Sequence, residues 1–554
     1  MRMKKGFIIS SLIAAAGTAG VLTAKDKIKK TMADDTKKRE FIDKGNDLVQ
    51  KIVGHFSDKV PDDTIPYLNR YDSDNFLEGS GYFLTEPDKK AKWKLGFAKH
   101  SIIPDSVNGD LYVGGYLAYP PNKVTGIIND QLIRAVAVND NSGRGINVFA
   151  VIDCIGISNT DIKHIRSLLK KDIEEYNIVS INISATHCHS GIDTQGMWGS
   201  ITQAIKVNKK ALNEGKPEDT VSGRNKEFME YLFLTAADTI REAIKNMTVG
   251  KLEFKLLDAS DFVRDKRPPY VVDDKLTVMR FTPSTKGKST LAVFLAAHPT
   301  CYGDKQREVS ADYPYYLCDE LENGGYNSMF FQGAEAAVAT ERGSKNVPEG
   351  LSRHKGIEAY GRVIGKYVLD GIKSDMTLIE PMLNVSLVEA FVPSDNKILE
   401  LAAKMRLVNN ATTKVTMDDE RDSKNYDLYF GTEVGYVEFG KTLRFALIPG
   451  ELCPELLVGG EYNKDDAYWG KDWKYPPMRQ KVDGHLTVIG LCNDAIGYIV
   501  PDNDFGSMFA KDHYEEAVSA GGRTASNIVG AFFRAVDNGN KSRITGSQII
   551  SENK

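Results

Sequence analysis

A surplus of one charge is missing from this chain. Its 71 Lys and Arg stand against 75 Asp and Glu, a formal net charge of −4 over 554 residues. So even a balance excludes a strongly basic nucleic-acid binder. Cysteine is sparse, six residues with no CxxC spacing, which excludes a disulfide framework, a zinc finger and a thioredoxin-like motif. Glycine (48) and proline (20) are near average use, so collagen-like and low-complexity classes are out. No repeat of roughly 20–50 residues is present, which removes solenoids and propellers. What remains is ordinary for a soluble globular protein, 42% hydrophobic and 26% charged, with ample length for a large core.

Gly6 to Ala24 carry no charge and follow Arg2, Lys4 and Lys5. This pattern is a signal peptide or a short membrane anchor, and the poor cleavage match at Leu22-Thr23-Ala24 favours an uncleaved anchor over residues 1–30. Lys25, Lys27, Lys29 and Lys30 on the downstream side favour a cytoplasmic body, whereas the signal-like beginning favours export. Residues 31–90 read as a polar stalk with a helical patch near Phe41 to Phe56, and 538–554 as a polar tail. Between them, 91–537 are expected to form one large mixed α/β, sandwich-like domain. Strand patterns cover Asn147 to Asp153, Ile178 to Ala185, Thr290 to Ala297, Leu443 to Ile448 and Leu486 to Leu491. Helical patterns cover Asp161 to Glu175, Lys226 to Lys245, Gly356 to Ile372 and His513 to Phe533. Asn396 to Asn425 reads as an elaboration with its own helix.

Four apolar strands end abruptly in polar chemistry, and sites in α/β sheets gather beyond the carboxyl ends of strands. The first ends in Thr186-His187-Cys188-His189-Ser190-Gly191. In extended chain His187 and His189 share a face, and imidazole is the commonest zinc ligand. A pair of hydrogen-bonded loop histidines is the plainer reading. The second ends in His298-Pro299-Thr300, where a lone histidine is as readily structural. Asp312 after it is either a carboxylate orienting a ligand histidine or a helix cap. The third ends in Pro449-Gly450-Glu451, a sharp turn that throws a carboxylate to the strand end. The fourth runs Gly490-Leu491-Cys492-Asn493-Asp494-Ala495-Ile496-Gly497-Tyr498, whose tyrosine alone reads as packing. Asp502-Asn503-Asp504 lacks the spaced ligands of a calcium loop and reads as a turn. Cys188, Cys301 and Cys492, beside these motifs, read as small buried residues.

In that order, Thr-His-x-His-Ser-Gly, His-Pro-Thr, Pro-Gly-Glu and Gly-Leu-x-Asn-x-x-x-Gly-Tyr resemble the catalytic domain of the neutral/alkaline (non-lysosomal) ceramidases. Leu95-Gly96-Phe97-Ala98-Lys99, Val113-Gly114-Gly115-Tyr116, Leu132-Ile133-Arg134-Ala135 and Val151-Ile152-Asp153-Cys154-Ile155-Gly156 resemble the strands that open the domain. The likeness spans roughly residues 93–535. It implies a zinc-dependent amidase acting on the N-acyl bond of a lipid or other amphiphile. The zinc ligands it implies are His187, His298, Glu451 and Tyr498, with His189 facing the substrate carbonyl. Arg224 or Lys226 stands where the family carries a basic residue near substrate. It also implies an extracytoplasmic domain held at the membrane by the N-terminal segment.

Departures from the pattern are specific. Where ceramidases read Gln-Ser-Asn-x-Gly-Asp-Val-Ser-Pro, this chain reads Gln332-Gly333-Ala334-Glu335-Ala336-Ala337-Val338-Ala339-Thr340. Gln332 and Val338 survive, while Ala339 replaces the serine. Gly191 is followed by Ile192 where the family has proline. Only about 55 residues follow Tyr498, too few for the family's C-terminal immunoglobulin-like domain. The alternative expectation is therefore a degenerate, membrane-anchored protein that keeps the fold for binding or envelope structure. Four filled ligand positions favour the enzyme.

Overall fold

The computed structural model describes residues 35–60, 70–341, 346–413, 428–460 and 464–544. The expected anchor at 1–30 and the end of the polar tail lie outside these residues. Among the described residues no helix is long and apolar enough to cross a membrane.

Runs such as Ile146–Ile152 (INVFAVI) and Ile178–Ala185 (IVSINISA) are almost wholly buried. Their β-branched residues suit strands covered on both faces. In Leu132–Asn139 the side chains divide by strand period. Ile133, Ala135 and Ala137 meet helices on one side, and Val136 and Val138 meet a second sheet on the other.

One sheet has nine strands. Its path is Asn327–Gln332, Thr290–Leu295, Lys275–Pro283, Thr248–Asp258, Trp93–Ser101, Leu132–Asn139, Ile146–Ile152 and Ile178–Ala185, with Thr377–Ile379 added beside Thr248–Asp258. The other has five: Leu383–Pro393, Tyr429–Phe439, Leu443–Leu447 and His485–Ile489 in order, with Thr412–Thr413 beside Tyr429–Phe439. Their facing surfaces interlock aromatic rings. Phe439 lies 5.7 Å from Trp93 and 5.9 Å from Phe149, and Phe445 lies 4.9 Å from Phe294. Helices cover the outer faces. Asn159–Leu168, Lys226–Lys245, Asp312–Asn323 and Arg353–Gly371 lie on the larger sheet, and Thr524–Lys541 on the smaller. The expected mixed α/β sandwich is the observed architecture.

Most pairings are antiparallel. The main strands of the two sheets form three parallel pairs: Ile146–Ile152 with Ile178–Ala185, Thr290–Leu295 with Asn327–Gln332, and Leu443–Leu447 with His485–Ile489. The first two lie toward opposite edges of the nine-stranded sheet, yet both edges meet one segment of the smaller sheet. Gly490 N–H donates to the Gln332 carbonyl at 2.9 Å, and Asn493 N–H donates to the Ile183 carbonyl at 2.8 Å. The carboxyl ends of all three pairs are thereby drawn to one place.

Several boundaries differ from the sequence expectation. The run Asp161 to Glu175 is two helices, Asn159–Leu168 and Lys170–Tyr176. The run His513 to Phe533 holds a short 3-10 helix at Glu515–Val518 and becomes α-helical only at Thr524–Lys541. Gly521, at φ +141°, precedes that helix, and Glu515 and Glu516 are drawn inward to Arg267 at 3.0 and 2.9 Å. The elaboration near 396–425 does carry its own helix, Lys397–Lys404, capped by the Asn396 side chain. Residues 414–427 lie outside the description. The segments expected as stalk and tail meet each other. Phe83–Leu84 pairs in parallel with Arg543–Ile544, and both Phe83 and Leu84 are buried. Arg543 also binds the buried Glu438 at 2.6 Å.

A fragment cut to 91–537 is therefore expected to be less stable than 70–544. Loss of Phe83 and Leu84 alone removes about 3–6 kcal/mol of apolar burial. Denaturant unfolding of the two fragments side by side measures the difference.

Candidate metal centre

His187 follows the strand Ile178–Ala185, but it does not continue it. Its φ is +60°, a left-handed conformation uncommon outside glycine, though histidine adopts it more readily than most, and one that clusters at functional sites. His187 and His189 therefore do not share a strand face, as extended chain would have them. The kink turns both rings toward one point instead. Their ring centroids are 4.7 Å apart, with His298 4.5 Å from His187 and 4.7 Å from His189.

Each ring is held from behind by a backbone carbonyl. His187 Nδ1 bonds to the Ile155 carbonyl at 2.6 Å, and His189 Nδ1 to the Gly115 carbonyl at 3.0 Å. The carbonyl of Glu335 holds the His298 ring. A carbonyl only accepts, so Nδ1 of His187 and His189 carries a proton and Nε2 faces forward, where a neutral ring offers its lone pair. Those nitrogens converge. Nε2 of His189 lies 3.1 Å from Nε2 of His187 and 2.8 Å from Nε2 of His298. Glu451 Oε2 lies 3.4 Å from His187 Nε2 and 3.9 Å from His298 Nε2. Acceptors this close repel unless a proton or a cation sits among them. Donors bonded tetrahedrally to zinc at 2.0–2.1 Å stand about 3.3 Å from each other, which is close to the spacing here.

Glu451 reaches the site through the expected turn. Past Pro449-Gly450, Glu451–Leu452 pairs with Tyr498–Ile499, so Glu451 and Tyr498 are register partners. A Cβ on Gly450 would stand 2.4 Å from the Gly497 carbonyl oxygen, so glycine permits that approach. The Tyr498 ring lies 6.5 Å from His298, and its hydroxyl is 3.1 Å from the hydroxyl of Tyr514. Tyr514 has no signal in the sequence. Thus His187, His189, His298, Glu451 and Tyr498, spread over more than 300 positions, share one neighbourhood.

Glu335 was not expected. It lies in the segment that departs from the ceramidase pattern. One of its carboxylate oxygens, one of Glu451 and a ring nitrogen of each of His187 and His298 all lie within 4.8 Å of one another. Its available signal was a lone acid in the run Gly333-Ala334-Glu335-Ala336-Ala337 after an apolar strand. Glu335 is 0% exposed, His298 3%, and His187 and Glu451 4% each. Among the described residues neither oxygen of Glu335, nor Oε2 of Glu451, makes a hydrogen bond.

Electrostatics follow from that burial. Burial opposes a charge on His187, but the Glu451 and Glu335 carboxylates outweigh it and hold the ring up to about 9. Burial and the charge of His187 push His189 well below its ordinary value, and His298 likewise. Glu335 is pushed up by burial, against His187 and with the help of Glu451. Protons thus take the place a cation would fill.

The other residues singled out in the sequence have these contacts. Asp312 accepts from Cys301 N–H at 2.9 Å and Tyr313 N–H at 2.7 Å, bracing the chain after His298 at a helix start. Gln332 ties the two histidine strands together. Its Nε2 donates to Thr186 and Ala297, the residues just before His187 and His298, at 3.2 and 2.9 Å. Arg224 pairs with Asp161 at 2.8 Å, and Lys226 reaches the Glu218 carbonyl at 3.3 Å. Residues 502–504 form a turn. All six cysteines are buried and unpaired as disulfides.

No family model matches the sequence, and no curated protein matches it. The fold has solved counterparts. The neutral ceramidase from Pseudomonas aeruginosa aligns at 14% identity and a TM-score of 0.57. A ceramidase complexed with C2 aligns at 13% identity and a TM-score of 0.59. Each alignment covers 82% of this chain and 76% of the other. The chain has a ceramidase-like fold.

Two outcomes follow from the geometry. Gly115, at φ +114°, lies so near His189 that a Cβ would stand 2.7 Å from its Cα, Cβ and Cγ. Gly115→Ala should cost about 1–3 kcal/mol as an overpacked position, read by denaturant unfolding. Metal ligands must shed their protons, and His187 is held up to about 9. Binding of a divalent cation at pH 7 should therefore release protons, and the release should fall as pH rises through about 9. Calorimetric titration in buffers of different ionisation enthalpy measures it.

Proposed function

We propose that this chain, built on a ceramidase-like fold, is a zinc-dependent hydrolase that cleaves the amide bond of an N-acylated lipid or other amphiphile. One observation carries the reading: ring nitrogens of three histidines and a buried carboxylate converge where the strand ends meet on that fold. His187, His298 and Glu451 would hold the ion, with Tyr498 as the fourth ligand beside Glu451. Two imidazoles, a carboxylate and a phenolate suit zinc better than the soft ions that prefer thiolates. The buried donors without partners fit such an ion. Zinc in this position supplies Lewis-acid polarisation of a carbonyl and a water acidic enough to attack near neutral pH.

The chain's own residues supply positioning and proton transfer. Gly115 holds His189 by its Nδ1 proton, so the free Nε2 accepts rather than donates. This suits His189 to take a proton from the attacking water and deliver it to the leaving amine. A standing role as oxyanion donor would need the other tautomer. His189 is also less buried than His187 and His298, which supports a substrate-side position for it. Tyr116 packs on the His189 ring at 5.0 Å and limits its rotation. The uncharged run at 6–24 would keep the domain near a membrane, where amphiphilic substrates gather.

A non-catalytic relative is the second reading, and Ala339 in place of the family serine is what favours it. Metal analysis and turnover separate the two. The wild-type protein should hold about one zinc per chain, lost in both His187→Ala and His298→Ala. His189→Ala should keep the metal and lose about 10²–10⁴-fold in rate on the best substrate of an N-acyl amide panel. Bound zinc with no hydrolysis of any member would favour the non-catalytic reading.

A further inference from the structure

We propose that Glu335 is an additional carboxylate ligand of this centre, giving it two imidazoles and two carboxylates beside the Tyr498 phenolate. The inference rests on the metal-centre reading above.

Another fully buried glutamate shows what structural pairing can look like here. Glu433, also 0% exposed, receives both arms of the Arg166 guanidinium at 2.8 Å each. Glu335 is equally buried, yet among the described residues neither of its oxygens has a hydrogen bond. Burying a carboxylate without donors is strongly unfavourable. Its nearest carboxylate neighbour in the cluster is Glu451, whose like charge adds to the penalty. A divalent cation removes both costs at once. The oxygen of Glu335 belongs to the same set, all within 4.8 Å, as the donors of His187, His298 and Glu451.

The backbone keeps it there. The Glu335 carbonyl holds the His298 ring and also accepts from Val338 N–H at 2.9 Å. Ala336 N–H donates to the Leu452 carbonyl at 3.2 Å, next to Glu451. Glu335 is thus braced between the elements that deliver His298 and Glu451. Space for its side chain depends on Gly490, where a Cβ would stand 3.3 Å from Glu335 Oε2 and 2.7 Å from the Gly333 carbonyl oxygen. The short loop and the missing side chain opposite it make a place for one more oxygen donor. A second carboxylate shifts the donor set toward oxygen and favours ions that accept coordination numbers above four, such as cobalt(II), manganese(II) and zinc(II).

The test uses the full chain with cobalt(II) and zinc(II) as probes. Affinity is measured by chelator competition, and coordination by the visible absorption of bound cobalt(II). E335Q is close in shape but cannot carry the charge, and E335A leaves out the oxygen altogether if the amide is not accommodated. Both should bind either metal at least about 10–100-fold more weakly, the range set by lesser supporting groups. Their cobalt(II) absorption should intensify as the coordination number falls. E335D, which keeps a carboxylate, should restore much of the affinity. A merely structural Glu335 would not move the cobalt spectrum. An E335Q protein with the spectrum and affinity of wild type overturns the inference and leaves the metal centre standing. Wild-type protein that binds neither metal overturns the centre and the inference with it.

Discussion

Two carboxylates and three imidazoles are held together at a largely buried point, and much of the architecture serves to keep them there. Each group alone would lower its free energy by moving to water or to a donor. Carbonyls of Ile155 and Gly115 fix two of the rings from behind, and that of Glu335 holds the third. With the rings fixed, the lone pairs have one direction left. The cluster is preorganised by hydrogen bonds made to the side of each ring that faces away from it, an arrangement also found around protein metal ions.

Holding three strand ends together is the corresponding task for the backbone. The strands bearing His187 and His298 lie toward opposite edges of a nine-stranded sheet. Two fastenings close the distance. Gln332 reaches the carbonyls preceding both histidines, and the segment Gly490 to Asn493 of the smaller sheet bonds to both edges. Left-handed residues at His187, Ala337, Leu491 and Asn493 mark where chain leaves regular strand to do so. Such conformations are unfavourable locally and persist only where surrounding contacts over-determine them. The aromatic layer between the sheets provides a rigid base for that strain.

Much of this was legible in the residues. Apolar runs bounded by turn chemistry mark Ile178–Ala185 and Leu443–Leu447, because strands buried on both faces are continuously apolar. The order of His187, His189, His298, Glu451 and Tyr498 after such runs pointed to one site through its resemblance to the ceramidase pattern, in line with sites gathering beyond the carboxyl ends of strands. Glu335 was hidden because its neighbours no longer match the pattern around it, and a lone glutamate carries no spacing of its own. Tyr514 was hidden because its place depends on the irregular chain before Thr524. The meeting of the two terminal segments was not legible because Phe83 and Leu84 sit in polar surroundings in the sequence, and their pairing with Arg543 and Ile544 accompanies their burial.

The sequence by itself determined the strand and helix repertoire, the mixed α/β class and the identity of most donors, because those depend on local periodicity and on side-chain chemistry. Tertiary structure alone decided that the histidines meet by a kink rather than along a strand face, which ring nitrogen each of His187 and His189 presents, and that Glu335 joins the cluster. Those outcomes depend on carbonyls and strand ends brought together across hundreds of residues. No local pattern encodes a contact whose two halves are that far apart.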